Sequence, residues 1–190
     1  MLILSQNLTN YDFPIPKDSV YRINLAWVND LNELLNLLQR HRNHSIFIDM
    51  PINRTKPPNN YYSIHDLIPI MKKYTNIKFF AISNVNSKND IQQYLDIVPT
   101  GVKIVPKIES KDGVDNVEDI VSVLPYEEKI LMMDHDDLYS SLIRAKESPL
   151  KFKEYFDKLV RYCQTNDIVL LRTIGVIFSD EEKKVTQYIK

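Results

Sequence analysis

Glycine is scarce: Gly101, Gly113 and Gly175 are the only three in 190 residues. A dinucleotide-binding fingerprint or a P-loop needs clustered glycines whose backbone can approach phosphates, so both are excluded. Cysteine is scarcer still. Cys163 alone cannot close an internal disulfide or build a thiolate metal cage. With Phe152, Phe156, Leu159 and Val160 at helical spacing, it reads as a small buried hydrophobe and not as a reactive thiol. His41, His44, His65 and His135 are scattered without zinc-ligand spacing, so any metal would take oxygen ligands and resemble Mg²⁺. An excess of one charge is missing too: 24 basic residues stand against 25 acidic ones, formally −1 at pH 7. Without a basic stripe, nucleic acid is not an expected partner. No apolar run approaches the ~20 residues of a membrane span, and Met1-Leu2-Ile3-Leu4 is too short and uncharged for a signal peptide. No membrane association and a cytoplasmic location are therefore expected.

What is present is a globular composition, 44% hydrophobic and 26% charged. It reads as one domain over 1–190, short of the ~250 residues of a complete eight-stranded (β/α) barrel. Short apolar runs alternate with amphipathic segments, the signature of parallel βα units. The predicted strands are Leu2 to Ser5, Val20 to Val28, Ser45 to Met50, Ile77 to Ser83, Val102 to Ile108, Lys129 to Met133 and Ile168 to Ile174. Most are continuously hydrophobic, as strands covered on both faces must be. Leu31, Leu34, Leu35 and Leu38 recur at helical spacing. Helix starts are marked by Ser63 with Asp66, Ser87 with Asp90 and Ser179 with Glu182, and by Ser148-Pro149. Tyr11 to Asp18 is too proline-rich for a helix, and Arg54 to Asn60 is a surface loop.

Polar residues gather at the C-terminal ends of the apolar runs: Arg22 and Asn24, Asp49, Ser83, Lys107 and Glu109, Asp137, and Thr173. Each alone is the residue type of a turn or helix cap. In parallel strands they converge on one mouth, where such proteins bind ligands. Lys107 and Glu109, two apart, share a face and form either a surface ion pair or part of a site. Pro106 implies that the strand ends or bends there. Asp134, Asp136 and Asp137 can all be a solvated helix start, with one of them doing nothing but capping. His135 between them reads as structural or exposed. Two carboxylates from neighbouring strand ends, Glu109 and Asp137, suit Mg²⁺, which keeps open positions for water and substrate. An adjacent Lys and Arg would stabilise negative charge developing on a polarised carbonyl.

These motifs resemble the phosphoenolpyruvate/pyruvate-binding barrels along nearly the whole chain, in two branches. Pro106-Lys107-Ile108-Glu109-Ser110 with Gly113-Val114-Asp115-Asn116, and Phe80-Ala81-Ile82-Ser83, resemble strands of pyruvate kinase. That likeness implies Lys107 as the catalytic lysine, Glu109 and Asp137 as divalent-metal ligands, and Arg22 as a phosphate or carboxylate binder. It also implies Thr173 beside the substrate, and Asn24 and Asp49 as monovalent-cation ligands. The chain departs from the pattern at Ala26-Trp27, where the family has Ser-His, and at His135-Asp136-Asp137-Leu138-Tyr139, where it has Arg-Gly-Asp-Leu-Gly. The lid domain that the kinase inserts would fall near Lys56 to Asn60, where only a short loop exists. Val20 to Asn24, Asp136 to Leu142 and Ser148-Pro149 resemble the 2-oxo-acid aldolase and citrate lyase β-subunit branch, which needs no lid.

The resulting expectation is an α/β fold, a shortened (β/α) TIM-type barrel of about seven strands, without lid or C-terminal regulatory domain. The expected function is Mg²⁺-dependent (or Mn²⁺-dependent) enolate chemistry on pyruvate or a related 2-oxo acid, of aldolase or lyase type. Arg22, Lys107 and Thr173 would be catalytic, Asn24, Asp49 and Ser83 would bind substrate, and Glu109 and Asp137 would hold the metal. Residual phosphoryl transfer on phosphoenolpyruvate and a non-catalytic oxo-acid-binding scaffold are the alternatives. An open parallel edge invites pairing and must be covered by the N-terminal segment or by a second subunit, so a homodimer or other oligomer is expected.

Overall fold

The computed structural model describes residues 3–6, 15–53, 58 and 60–172. Seven parallel strands, hydrogen-bonded in sequence order, curl into a half-barrel with helices between them. They are β1 (Ile3–Ser5), β2 (Val20–Asn24), β3 (Ser45–Met50), β4 (Ile77–Ile82), β5 (Lys103–Ile108), β6 (Ile130–Met133) and β7 (Val169–Arg172). The helices between them are α1 (Leu31–Arg40), α2 (Ile64–Lys73), α3 (Asn89–Leu95), α4 (Lys111–Asp115), α5 (Val117–Ser122), α6 (His135–Arg144) and α7 (Lys151–Thr165). No described helix is long and apolar enough to cross a membrane.

Side chains alternate across each strand, and that period of two sorts the apolar residues into two cores. Val20, Phe47, Ala81, Val105, Ile130 and Met132 pack together on the concave face. Their neighbours in sequence, among them Tyr21, Ile46, Ile48, Phe80, Ile104 and Leu131, join the larger core that includes Leu34 and Leu38 of α1 and Leu159 and Cys163 of α7. Cys163 is buried as its spacing implies, and burial pushes its thiol up to about 11.

Two local expectations are corrected and one is sharpened. β2 does not run to Val28: the Asn24 side chain accepts from Ala26 N at 3.0 Å and starts a 3-10 turn over Leu25–Trp27. Those residues are apolar because the turn is buried at Leu25 and Ala26, not because it is a strand. β5 runs through Pro106 to Ile108, the end expected from the sequence. It pairs with β4 from Lys103 to Pro106 and with β6 only at Lys107 and Ile108. The proline, which has no N–H to give, thus marks a change of partner. Third, α3 begins at Asn89; Asp90 still reaches back, its Oδ2 accepting from Ser87 N at 2.8 Å. Ser63 caps α2 as expected. Thr173, the Ser179–Glu182 pair and most of the Arg54 to Asn60 loop lie outside the described residues.

At the opposite end from the strand C-termini, His41 is only 6% exposed and stacks on Tyr21, with ring centroids 3.7 Å apart. Neither ring nitrogen has a hydrogen-bond partner among the described residues. Burial, then the neighbouring His44 and Arg40, pushes its pKa down to about 4. An unfolded histidine titrates near 6.5, so between these values only the unfolded chain takes up the proton. This contribution is complete above about pH 6.5 and is lost as pH falls through about 4. His41→Phe is expected to flatten the acid-side fall in stability by about 2–3 kcal/mol at pH 4, read by urea unfolding at pH 7 and pH 4.

Candidate active site at the strand C-termini

The concave face changes character along its length. Beyond the apolar residues, the same side-chain parity continues into Arg22 and Asn24 on β2, Asp49 on β3, Ser83 after β4, and Lys107 and Glu109 on and after β5. Asp134 follows β6 two residues after Met132. Asp49, Ser83, Lys107 and Glu109 are all buried, at 1%, 8%, 5% and 2% exposure. Ions so placed are tolerated only when paired and hydrogen-bonded.

Here they are. Asp49 Oδ2 accepts from Arg22 Nε at 3.1 Å and also from its Nη2, so one oxygen holds one edge of the guanidinium. Lys107 Nζ stands 3.4 Å from the same Asp49 oxygen and 2.8 Å from Glu109 Oε1, and donates to Ser83 Oγ at 3.1 Å. Burial alone would raise the Asp49 pKa, but Lys107 and Arg22 outweigh it and hold the carboxyl below its usual range. Burial likewise opposes the Lys107 charge, yet Asp49 and Glu109 keep the ammonium protonated beyond its ordinary value. Glu109 is the exception. Burial prevails there over the attraction of Lys107, and its pKa is raised.

Glu109 is aimed from its other side. Asn84, in the left-handed conformation at φ 54°, donates its backbone N–H to Glu109 Oε2 at 2.8 Å. The Asn84 side chain is anchored on Ile52 O at 2.6 Å. Glu109 Oε1 lies within ion-pair distance of Lys107 but has no aligned hydrogen bond. Facing it across the β5–β6 junction are Asp134 and Asp137; one oxygen from each of the three carboxyls lies within 4.8 Å of the others. Among the described residues, two cationic side chains, Arg22 and Lys107, stand with four carboxyls, Asp49, Glu109, Asp134 and Asp137. Oxygen-only donors with this charge fit a hard divalent cation such as Mg²⁺ or Mn²⁺.

Of the residues selected from sequence, Arg22, Asp49, Ser83 and Lys107 with Glu109 meet in one hydrogen-bonded and ion-paired network, and Asp137 meets Glu109. Asn24 sits at the same end, with its Oδ1 used by the cap and its N–H donated to Gln6 Oε1 at 2.8 Å. Thr173 lies outside the described residues. The sequence reading passed over Asn84 and treated Asp134 as one more helix-start acid. His135 is half-buried, with its ring 5.7 Å from that of Phe156, in accord with a structural role. A separate cavity of about 280 Å³, lined in part by Glu118, Glu127, Lys129 and Asp167, opens at the other end of β6 and β7, away from this network.

No protein-family model matches the sequence, and no curated protein matches it. Among solved structures, the chain is similar to RipC from Yersinia pestis, with a TM-score of 0.59 and 14% identity, over 88% of this chain and 75% of that one. It is also similar to pyruvate kinase of Cryptosporidium parvum, solved in complex with ADP, with a TM-score of 0.58 and 16% identity, over 80% of this chain. The match spans 50% of that kinase. At these identities the likeness is one of fold: a half-barrel of parallel strands.

Proposed function

We propose that the mouth binds pyruvate or a related small 2-oxo acid with a divalent cation, and stabilises its enolate in an aldolase- or lyase-type reaction. The observation that carries this reading is the juxtaposition of a buried, protonated Lys107 and a bound Arg22 with the Glu109, Asp134 and Asp137 carboxyls. Glu109 and Asp137 would hold Mg²⁺ or Mn²⁺, which when bound supplies Lewis-acid polarisation of the oxo-acid carbonyl.

The chain's own groups then divide the work. Asp49 occupies Nε and Nη2 of Arg22, which leaves Nη1 for a substrate carboxylate, and the 15% exposure of that side chain keeps it within reach. A planar guanidinium held on one edge presents the other in a fixed orientation. Lys107 acts as a charge and not as a base, because its two carboxylate neighbours keep the proton on it. It neutralises the negative oxygen that forms as the enolate develops, from a site already oriented before reaction. Ser83 fixes the ammonium by accepting from it. The second-subunit cover for the open edges stays part of this proposal; within the described residues β1 and β7 each pair on one side only.

Asp136 and Tyr139 stand where the kinase pattern has glycine. Asp136 is exposed, and Tyr139 is 45% exposed and lies edge-on against Phe152, so neither is buried in the mouth. This favours a working pocket over a filled, purely scaffolding one. The test is a steady-state panel of 2-oxo acids and aldehydes with and without EDTA, beside calorimetry of oxalate with and without Mg²⁺. Chelator-sensitive carbon–carbon cleavage or condensation, and oxalate heat only with Mg²⁺, are expected. ATP formation from phosphoenolpyruvate and ADP would select phosphoryl transfer instead. Metal-dependent oxalate binding with no turnover would select the scaffold, and activity indifferent to EDTA would overturn the metal's role.

A further inference from the structure

We infer that Asp134 is a third carboxylate ligand, and that with Glu109 and Asp137 it binds a divalent cation before any oxo acid arrives. The inference deepens the metal-binding half of the reading above and does not depend on the identity of the substrate.

Asp134 has two roles open to it, and its geometry serves both. As N-cap of α6 it accepts from Asp136 N at 3.1 Å and Asp137 N at 3.2 Å, both at Oδ1. The cap therefore uses one oxygen and fixes the orientation of the carboxyl. The residue also continues the concave-face parity of Ile130 and Met132, which places it on the mouth side of the strand end. An oxygen of Asp134 lies within 4.8 Å of those offered by Glu109 and Asp137. A cap alone does not require that convergence.

The opposing carboxyl is buried, and the cation beside it is divided among several partners. Glu109 is 2% exposed, and its Oε1 has no aligned hydrogen bond. Lys107, the cation within ion-pair distance of it, is shared with Asp49 and Ser83. Two carboxyls alone would need the substrate's oxygens to complete a cation site. A third tips the group toward holding the ion on protein oxygens alone, since ligand charge sets divalent affinity at oxygen sites.

Asparagine caps helices about as well as aspartate, so Asp134→Asn removes the charge and keeps the cap. The experiment titrates the full chain with Mn²⁺ alone, by calorimetry and electron paramagnetic resonance, for wild type, Asp134→Asn, Asp137→Asn and Glu109→Gln, with thermal unfolding of each in EDTA. Wild type is expected to bind Mn²⁺ without oxo acid. Asp134→Asn is expected to keep its unfolding midpoint and to weaken Mn²⁺ by more than the ~10–100-fold that loss of an outer-shell partner costs. Asp134→Ser, another good cap, replaces it should the Asn variant not fold. If Asp134→Asn binds as wild type does while Glu109→Gln and Asp137→Asn do not, the third ligand is refuted and the two-carboxylate site stands. If Mn²⁺ binds wild type only after pyruvate is added, the inference also fails and the proposed function survives. If Mn²⁺ does not bind with pyruvate either, both fail.

Discussion

Lys107→Met should lower the stability of the folded chain by about 3–5 kcal/mol, the usual consequence of removing one partner from a buried ion pair. Lys107 is the shared cation of Asp49 and Glu109. Asp49 keeps Arg22 after the change, so the loss falls on Glu109, which retains only the Asn84 N–H at Oε2. Burial already raises the pKa of this carboxyl, and without the ammonium it rises further. The variant's deficit should therefore be largest at neutral pH and shrink as acid protonates Glu109, because a neutral carboxyl no longer needs the lost cation. Adding Glu109→Gln to Lys107→Met should restore most of the stability at neutral pH without restoring the proposed activity. Urea unfolding of the single and double variants across pH reads both effects. A single variant as stable as wild type would mean that the ion pair does not hold the mouth together.

Gly113→Ala is expected to destabilise by about 1–3 kcal/mol, the typical cost of overpacking, with an effect on the site out of proportion to one methyl group. A Cβ at Gly113 would lie 2.5 Å from Val85 O, and 3.3 Å from Ile108 Cγ2. The first contact is with backbone, which cannot swing aside as a side chain can. Val85 is fully buried and its N–H donates to Lys107 O at 3.1 Å. It also follows Asn84, whose N–H aims Glu109. Room for the methyl must come from moving α4 or this loop, and either shifts the Glu109 carboxyl. Ser110→Ala is the control. It removes the α4 cap that Ser110 Oγ provides to Gly113 N at 3.0 Å, at a cost near 1 kcal/mol, without the clash. Gly113→Ala should weaken Mn²⁺ binding more than Ser110→Ala at equal loss of stability. Equal binding in the two would show that the close approach matters only for packing.

The sheet was legible because strands covered on both faces must be apolar throughout and must stop being so where they reach the mouth. That single rule located Arg22, Asp49, Ser83, Lys107 and Glu109, and the two-residue spacing of the last pair placed them on one face. It misled at Leu25 to Val28, where burial of a turn that Asn24 caps has the same apolar signature as a strand. Asp134 failed the other way. A carboxyl that caps and one that can also face a cation are the same residue type at the same position, and only the third dimension separates them. Asn84 left one trace, since asparagine tolerates the left-handed conformation it adopts, but its N–H has no sequence signature.

Pro106 leaves the sheet with a seam. Strands β1 to β5 form one block and β6 with β7 another, laced together by the Lys107–Met132 and Ile108–Met133 pairs, the shortest ladder of the seven strands. Glu109 stands on one bank, one residue past the lacing, and Asp134 and Asp137 stand on the other. Whatever bridges those banks fastens the fold at its least stitched joint, so occupancy of the pocket and integrity of the whole sheet become a single equilibrium.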